Sequence, residues 1–190
     1  IIGGHFPFDI DGVEHGITPI EGPNPKLQAL LEVLDELPAN GKVIIWARFN
    51  PEIDLLRREI EAVYGLGSVA LFYGKANYEG GEQERSDQVF KFKNRPECRF
   101  MISNPAVGGM GQTWVVANTV IYYSNSFSYE DRKQSEDRAH RKGQTNKVTY
   151  VDIEADHEYD KMILNAVMHK QSVAEYVDKQ IANRQIHEEK

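Results

Sequence analysis

The stretch KVIIWARFNPEIDLLRREIEAVYGLGSVALFY, residues 42–73, decides the fold. It begins with a continuous apolar run rich in β-branched residues, Lys42–Ala47, which is typical of a strand buried on both faces. Pro51–Gly65 is amphipathic at helical spacing and ends at a glycine, and Ser68–Tyr73 is a second buried strand. A strand, a helix and a second strand in this order predict a βαβ unit and hence a parallel sheet.

The same alternation continues on both sides of this unit. Leucines at helical spacing follow Asn24, a good N-cap, and Pro25, which suits the first helical position, so a helix is expected over residues 24–37. The further expected elements are a charged helix over 80–94 with Val89, Phe90 and Phe92 toward the core, strands at 99–103, 119–124 and 147–153, and a helical tail over about 157–183.

These elements predict an α/β domain with a mostly parallel sheet, helices on both faces and a C-terminal helical tail. Residues 1–23 are rich in Gly, Pro and His and are expected to be an irregular lead-in. Residues 24–153 would form the α/β lobe. Residues 154–190 would form a helical extension packed on that lobe.

The composition is that of a globular protein with an acidic balance and a formal net charge of −7. Such a chain is a poor free-standing binder of nucleic acid, because phosphate neutralisation requires Lys and Arg. The single cysteine, Cys98, excludes an internal disulfide and fits a reducing, cytoplasmic setting. Scattered histidines indicate no metal site, and no apolar run approaches the ~18 residues of a membrane helix. The opening IIGGHF lacks an initiator Met, so we expect a piece of a longer protein.

The stretch QSEDRAHRKGQ, residues 134–144, predicts a helix with hardly any apolar side chain to bury. Ser128 and Asp131 fit a capping-box start, and Gly143 fits a left-handed stop. A helix that is polar all round bridges solvent between other parts of a protein, is stabilised by many ion pairs, or is only marginally stable. Its polar residues therefore need an explanation.

One face of this predicted helix carries two arginines. Gln134, Arg138 and Arg141 lie at i, i+4 and i+7 and would share that face. A solvated helix held by pairs such as Asp137 with Arg141 is one interpretation. The other is an anion site, because guanidinium is planar, permanently charged and bidentate, which suits phosphate.

A glycine-rich turn, Gly108–Gly111, directly follows the strand expected at 99–103. Its glycines would let a ligand approach the backbone, whose N–H groups can hold phosphate, although an ordinary tight turn fits the same residues. Neither the dinucleotide fingerprint nor the Gly-x-x-x-x-Gly-Lys-Ser/Thr phosphate loop is present. Anion-binding arginines without an element that holds a nucleoside triphosphate or its metal predict half of a split site.

Residues 104–153 resemble the end of the second RecA-like lobe of superfamily 2 helicases, in particular the Swi/Snf-type DNA translocases. Here GGMGQTW resembles motif V, QSEDRAHRKGQ resembles motif VI and KVIIWARFN is similar to motif IV. The tail EYDKMILNAVMHKQSVAEYV resembles the helix that follows motif VI. Two residues depart from the family pattern: Trp114 stands where a smaller aliphatic residue is usual, and Lys142 replaces a usual Ile.

The resemblance implies roles for individual residues. Arg138 and Arg141 would be the catalytic arginine fingers that reach ATP across a lobe interface. The other implied site residues are Gln134, Gly109 and Gly111 at the nucleotide, and Arg48, Lys75, Asn104 and Gly108 at the DNA. ATP and Mg²⁺ would be held mainly by a missing first lobe, with no metal site on this one.

The resemblance also implies a function, that of the C-terminal motor lobe of an ATP-dependent DNA helicase or translocase. Its partners would be duplex DNA and the N-terminal RecA-like lobe of the same parent, with no membrane, and this chain alone would be inactive. The compact lobe suggests a protein of the cytoplasm of a bacterial or phage-infected cell. Two alternatives stay open: a non-catalytic RecA-like module that binds DNA or protein, and a small-molecule α/β enzyme that uses the glycine turn.

Overall fold

The computed structural model describes residues 5–10, 13–19, 22–74, 81–105, 113–125, 128–156 and 158–169. In chain order the elements are β1 His5–Ile10, β2 Val13–Pro19, α1 Pro25–Glu36, β3 Val43–Trp46, α2 Asn50–Tyr64, β4 Val69–Phe72, α3 Gly81–Asn94, β5 Phe100–Ser103, β6 Thr119–Tyr122, α4 Tyr129–Ala139, β7 Thr149–Asp152 and α5 Glu158–Met168.

Five strands form one parallel sheet in the order β4-β5-β3-β6-β7, with β3 at its centre. Val43 of β3 lies opposite Phe100 of β5 on one side and Thr119 of β6 on the other. Every residue of β3, β4, β5 and β6 is buried. Strands buried on both faces have no solvent side to alternate with, which explains their continuous apolar sequences. The predicted parallel sheet is confirmed.

Successive strand residues point into two apolar layers, one on each face of the sheet. On the first face, α1 and α2 contribute Leu30, Leu34, Ile53, Leu56 and Ile60, packed on Val43, Ile45, Ile102 and Ile121. On the second face, α3 and α4 contribute Val89, Phe92 and Ala139, packed on Ile44, Trp46, Met101 and Val120. The prediction of helices on both faces is therefore confirmed.

The predicted start of α1 is confirmed, since Asn24 Oδ1 accepts a hydrogen bond from the Leu27 N–H at 3.1 Å. One side-chain expectation in α3 is wrong. Phe90 is 61% exposed, whereas Val89 and Phe92 are buried. Residues three apart share a helical face, but Phe90 lies about 100° round the helix from Val89 and points away from the sheet.

The amino-terminal segment also differs from the expected irregular lead-in, because β1 and β2 form an antiparallel hairpin. Its sequence signal is the alternation of Phe6, Phe8 and Ile10 with other residues, followed by the dipeptide Asp11-Gly12, which favours two-residue hairpin loops. The pairing register shifts between Phe6 and Phe8, around a proline, as expected where a strand residue has no N–H to donate.

The outer edge of β4 is covered by polar side chains of α3. Arg85 Nη2 donates to the Tyr73 carbonyl at 2.9 Å, and Lys91 Nζ donates to that of Val69 at 2.8 Å. Between them, the Leu71 N–H donates to Gln88 Oε1 at 3.2 Å. A strand at the end of a sheet leaves such backbone groups without a strand partner, and here one helix supplies them.

The last described helix, α5, is attached to α1 by a buried ion pair. Lys26 Nζ lies 2.9 Å from Asp160 Oδ2, and both side chains are 8% exposed. The same carboxylate oxygen accepts the Ala155 N–H at 3.0 Å. Ile163, Ala166 and Val167 are buried on the apolar side of α5. The predicted tail beyond residue 169 lies outside the described residues.

We predict that Asp160→Ala lowers the free energy of unfolding by about 3–5 kcal/mol, because it leaves the Lys26 ammonium buried without its carboxylate. Urea unfolding of the chain measures this loss. In the control, Asp156→Ala removes the partner of Lys161 from an exposed pair and should leave the midpoint unchanged. The double variant Lys26→Met/Asp160→Leu should recover most of the loss, and equal losses in all three variants would contradict the role of the pair.

Candidate functional site

The polar helix α4 attaches to the sheet through a face that is largely polar. Ser128 caps its start and accepts the Asp131 N–H at 3.3 Å, as the capping pattern predicts. Arg132, Ser135 and Ala139, at i, i+3 and i+7, are the buried residues of this helix. The small Ser135 and Ala139 let the helix approach the sheet closely, so the absence of large apolar residues reflects how α4 packs as well as what its outer side presents.

Arg132 is the main anchor of α4. Its Nη1 and Nη2 lie 2.5 and 3.1 Å from the two carboxylate oxygens of Asp152 on β7, and its Nε lies 2.7 Å from Glu136. Its guanidinium lies over the Tyr122 ring, 3.4 Å from the centroid. Burial alone would lower the pKa of Arg132, but the hydrogen bonds to Asp152 and Glu136 raise it above its ordinary value. Arg132 therefore stays charged and is a structural residue, although its sequence neighbour Lys133 is an exposed cation.

The Tyr122 phenol completes this anchor. Its oxygen lies 2.7 Å from Ser135 Oγ, which in turn donates to the Arg132 carbonyl at 2.7 Å. Burial raises the pKa of Tyr122 well above its ordinary value, so the hydroxyl stays protonated at neutral pH. Strand β6 thus holds α4 by a ring contact and a hydrogen bond, while β7 holds it by charge.

The helix ends earlier than predicted, and Arg141 lies beyond it. The last helical residue is Ala139, and the His140 N–H donates to the Glu136 carbonyl at 3.0 Å. Gly143 adopts a φ of +106° within the following turn and not at the helix end. The expectation that Gln134, Arg138 and Arg141 share one helical face therefore holds only for the first two.

A surface cavity nevertheless brings the three predicted residues together. It measures about 430 Å³ and is lined by Gln134, Asp137, Arg138, His140, Arg141 and Lys142. Burial lowers the pKa of Arg138, and the positive charge of Arg141 lowers it further. Two guanidinium groups that repel each other at a cavity are stabilised by a shared anion, so the arrangement suits a phosphate.

The segment immediately before β6 holds both arginines in place. The Trp114 N–H donates to the Arg138 carbonyl at 2.9 Å, and Arg141 Nη1 donates to Thr113 Oγ1 at 3.0 Å. Trp114 is 1% exposed, and its ring centroid lies 5.5 Å from that of Trp46 and 5.2 Å from that of Phe72. This departure from the family pattern is thus a core residue that fixes the segment carrying Thr113. Sequence reasoning missed Thr113, since nothing in the spacing links it to Arg141.

A second group of predicted residues meets at the carboxyl ends of β3 and β5. Asn104 Nδ2 donates to the Arg48 carbonyl, and the Arg48 N–H donates to Ser124 Oγ at 2.8 Å. The buried Glu52 accepts from Ser124 Oγ at 2.5 Å and from the Phe49 N–H at 3.2 Å. The structure therefore brings Arg48 and Asn104 together at the ends of these two strands. The other predicted site residues, Lys75, Gly108, Gly109 and Gly111, lie outside the described residues.

Among the residues that the structure describes, no three His, Cys, Asp or Glu side chains converge as a metal site requires. None of the helices described combines the length and apolar character of a membrane span.

A five-stranded parallel sheet between helices, with an arginine-lined cavity beside the helix that follows β6, defines a RecA-like α/β lobe. Comparison with known families assigns it further: the helicase conserved C-terminal domain matches residues 25–143, and the chain belongs to that family.

Similar proteins place the lobe among Swi2/Snf2 ATPases. The chromatin-remodeling ATPase INO80 of Mycosarcoma maydis is 29% identical over 155 residues, which cover 80% of this chain and 8% of that protein. Human INO80 is 30% identical over 153 residues, 80% of this chain and 9% of that protein. The chain therefore spans less than a tenth of these two relatives.

Two solved structures share the fold. The C-terminal part of the Fun30 ATPase domain matches with a TM-score of 0.67 and 25% identity over 76% of this chain and 45% of that one. The Sulfolobus solfataricus SWI2/SNF2 ATPase core domain matches with a TM-score of 0.56 and 27% identity over 76% of this chain and 28% of that one. The predicted second RecA-like lobe of a Swi/Snf-type ATPase is confirmed.

We predict that Asp152→Ala destabilises the chain by about 3–5 kcal/mol, because the Arg132 guanidinium would stay buried without its carboxylate. Chemical denaturation measures the loss, and hydrogen exchange should show that the amides of α4 lose protection first. Glu97→Ala, which breaks an exposed pair with Arg95, is the matched control and should cost less than about 1 kcal/mol. A similar small effect for Asp152→Ala would show that Arg132 does not anchor the helix.

Proposed function

We propose that this chain is the C-terminal motor lobe of an ATP-dependent DNA helicase or translocase, and that Arg138 and Arg141 are arginine fingers. They would contact the phosphates of ATP held by a first RecA-like lobe of the same protein. The cavity of about 430 Å³ that both arginines line carries the proposal. Family membership supports it, since the chain belongs to the helicase C-terminal domain.

Arg138 and Arg141 are held in different ways, and both arrangements are compatible with a role as arginine fingers. Arg138 is half-buried in the last turn of α4, with its backbone carbonyl bonded to the Trp114 N–H. Arg141 is exposed, and its guanidinium is directed by Thr113. A guanidinium that is already oriented stabilises charge developing on phosphate oxygens without first reorganising. Docking of a first lobe would exclude water and strengthen that stabilisation.

The remaining nucleotide contacts follow the same proposal. Gln134 lines the cavity one helical turn before Arg138 and offers an amide to the nucleotide. Gly109 and Gly111 would approach it through backbone N–H groups. Mg²⁺, held mainly by the first lobe, would supply charge neutralisation at the phosphate oxygens.

The carboxyl ends of β3 and β5 would form part of the duplex DNA track. Asn104 and Ser124 fix the main chain of Arg48, so this arginine leaves the sheet from a rigid position. Its neighbours in the proposed track are Lys75, Asn104 and Gly108. Phosphate contacts of this kind hold DNA without reading its sequence.

A bacterial or phage origin and a cytoplasmic location stay predictions. They rest on the compactness of the sequence, whereas the INO80 proteins compared above come from Mycosarcoma maydis and Homo sapiens.

We predict that Arg141→Ala lowers the ATP turnover of the complete two-lobe protein by about 10³-fold or more, which is the typical effect of removing an arginine finger. Arg138→Ala should act in the same direction. Arg141→Lys should recover little, since an ammonium cannot form the bidentate contact. Steady-state ATPase assays with and without duplex DNA measure these effects.

The matched control for these variants is Arg58→Ala, which removes an exposed arginine of α2 and should leave turnover unchanged. Thermal unfolding should show that all four variants remain folded. Near-normal turnover in Arg141→Ala would refute the finger role.

We further predict that the isolated chain does not hydrolyse ATP, because its arginines complete a site that lies on another lobe. Turnover should appear, and rise with duplex DNA, only when the first lobe is present. The same samples should be tested for DNA affinity over a range of salt concentrations. Tight and steeply salt-dependent DNA binding by the isolated chain, with no ATPase in the two-lobe protein, would favour the non-catalytic module instead.

A further inference from the structure

Gln144 joins the turn that follows α4 to the last residue of α4 and to the segment before β6. Its side-chain amide Nε2 lies 2.8 Å from the Ala117 carbonyl oxygen, 3.1 Å from that of Val115 and 3.3 Å from that of Ala139. An amide NH₂ has two hydrogens, so one of them is shared between two acceptors. The side-chain oxygen Oε1 accepts the Asn146 N–H at 2.9 Å. Every polar atom of this half-buried side chain is therefore committed to backbone.

The carbonyls that Gln144 binds belong to the two ends of the arginine site. Ala139 is the last residue of α4, one position after Arg138. Val115 and Ala117 follow Thr113, which holds the Arg141 guanidinium. One side chain thus spans from the end of the helix to the segment that directs the second arginine.

The backbone of Gln144 closes the turn that carries Arg141. Its N–H donates to the Arg141 carbonyl at 2.9 Å. Gly143, with a φ of +106°, permits this turn, because residues with a side chain rarely adopt that conformation. Arg141 is therefore held at its guanidinium by Thr113 and at its backbone by Gln144.

We propose that Gln144 is a positioning residue for the arginine pair: it sets the Arg141 turn against residues 113–117 and so fixes the distance between the two guanidinium groups. This inference rests on the proposed finger function. Gln144 contacts backbone and acts through the placement of Arg141 relative to Arg138, so it is not itself a catalytic residue. Misplacement of a catalytic group by about 1 Å can cost about 100-fold in rate. Loss of the Gln144 amide should therefore reduce chemistry more than it reduces binding.

The test uses Gln144→Met in the complete two-lobe protein, because methionine keeps the length of the side chain and removes the amide. We expect kcat to fall by about 10- to 100-fold, with the KM for ATP and the affinity for duplex DNA changed by less than about threefold. Thr145→Ala, at the exposed neighbouring position, is the matched control and should leave kcat unchanged. Should Gln144→Met fail to fold, Gln144→Asn withdraws the same amide by one methylene and gives the same comparison.

A double-mutant cycle separates positioning from simple stabilisation. In an Arg141→Ala background, Gln144→Met should lower kcat no further, because the group it positions is gone. A lower Tm with an unchanged kcat for the folded protein would overturn the inference and leave the finger function standing. An independent kcat loss in the Arg141→Ala background would also overturn it. Normal turnover in Arg141→Ala alone would instead refute the finger function, and the inference with it.

Discussion

The position of the arginine cavity depends on Arg132, whose guanidinium lies over the Tyr122 ring and forms an ion pair with Asp152. A buried guanidinium is unfavourable unless its hydrogen-bonding groups are met, and here two carboxylates, an amide and an aromatic face meet them. Because Asp152 lies on β7 and Tyr122 on β6, the contact fixes α4 to two strands at once. The last turn of the helix can then lie against residues 113–117, where Arg138 and Arg141 are held. An apolar helix face of similar area would pack, but it would specify the rotation of α4 less strictly than directional bonds do.

Much of the fold could be predicted because its strands are buried on both faces, and such strands leave continuous apolar runs such as Val43–Trp46. The cap at Asn24 is equally readable, since it depends on neighbours a few residues away. The incorrect predictions of the fold also have local causes. The hydrophobicity of Phe90 predicts a core position, although helical geometry turns its side chain outward. The glycines and prolines of residues 1–23 predict irregular structure and so obscure the hairpin of β1 and β2, although Asp11-Gly12 is itself a hairpin signal.

The site was predictable only in part, for a different reason. Charge and spacing identified Arg138 and Arg141, and the resemblance supplied their roles. The sequence pattern could not show that α4 ends at Ala139, because the helix end lies against residues distant in sequence, such as Trp114, and does not coincide with Gly143. It could not pair Thr113 with Arg141 or Gln144 with Val115, since each pair is separated by more than 25 residues. Nor could it distinguish Arg132, which is buried, from the exposed cations beside it. The contacts that organise the cavity are long-range and polar, and hydrophobic periodicity carries no information about them.

The cover that α3 provides along β4 has a consequence for how the lobe meets other chains. An uncovered edge strand can recruit an extended segment from another molecule and grow the sheet by one strand, in regulated binding or in aggregation. At β4 that route requires displacing Arg85, Gln88 and Lys91 from the backbone groups they already bind. The lobe is thus protected on this side against edge-to-edge polymerisation. Partners that approach here would have to recognise side chains on a finished surface, and could not do so by β-augmentation.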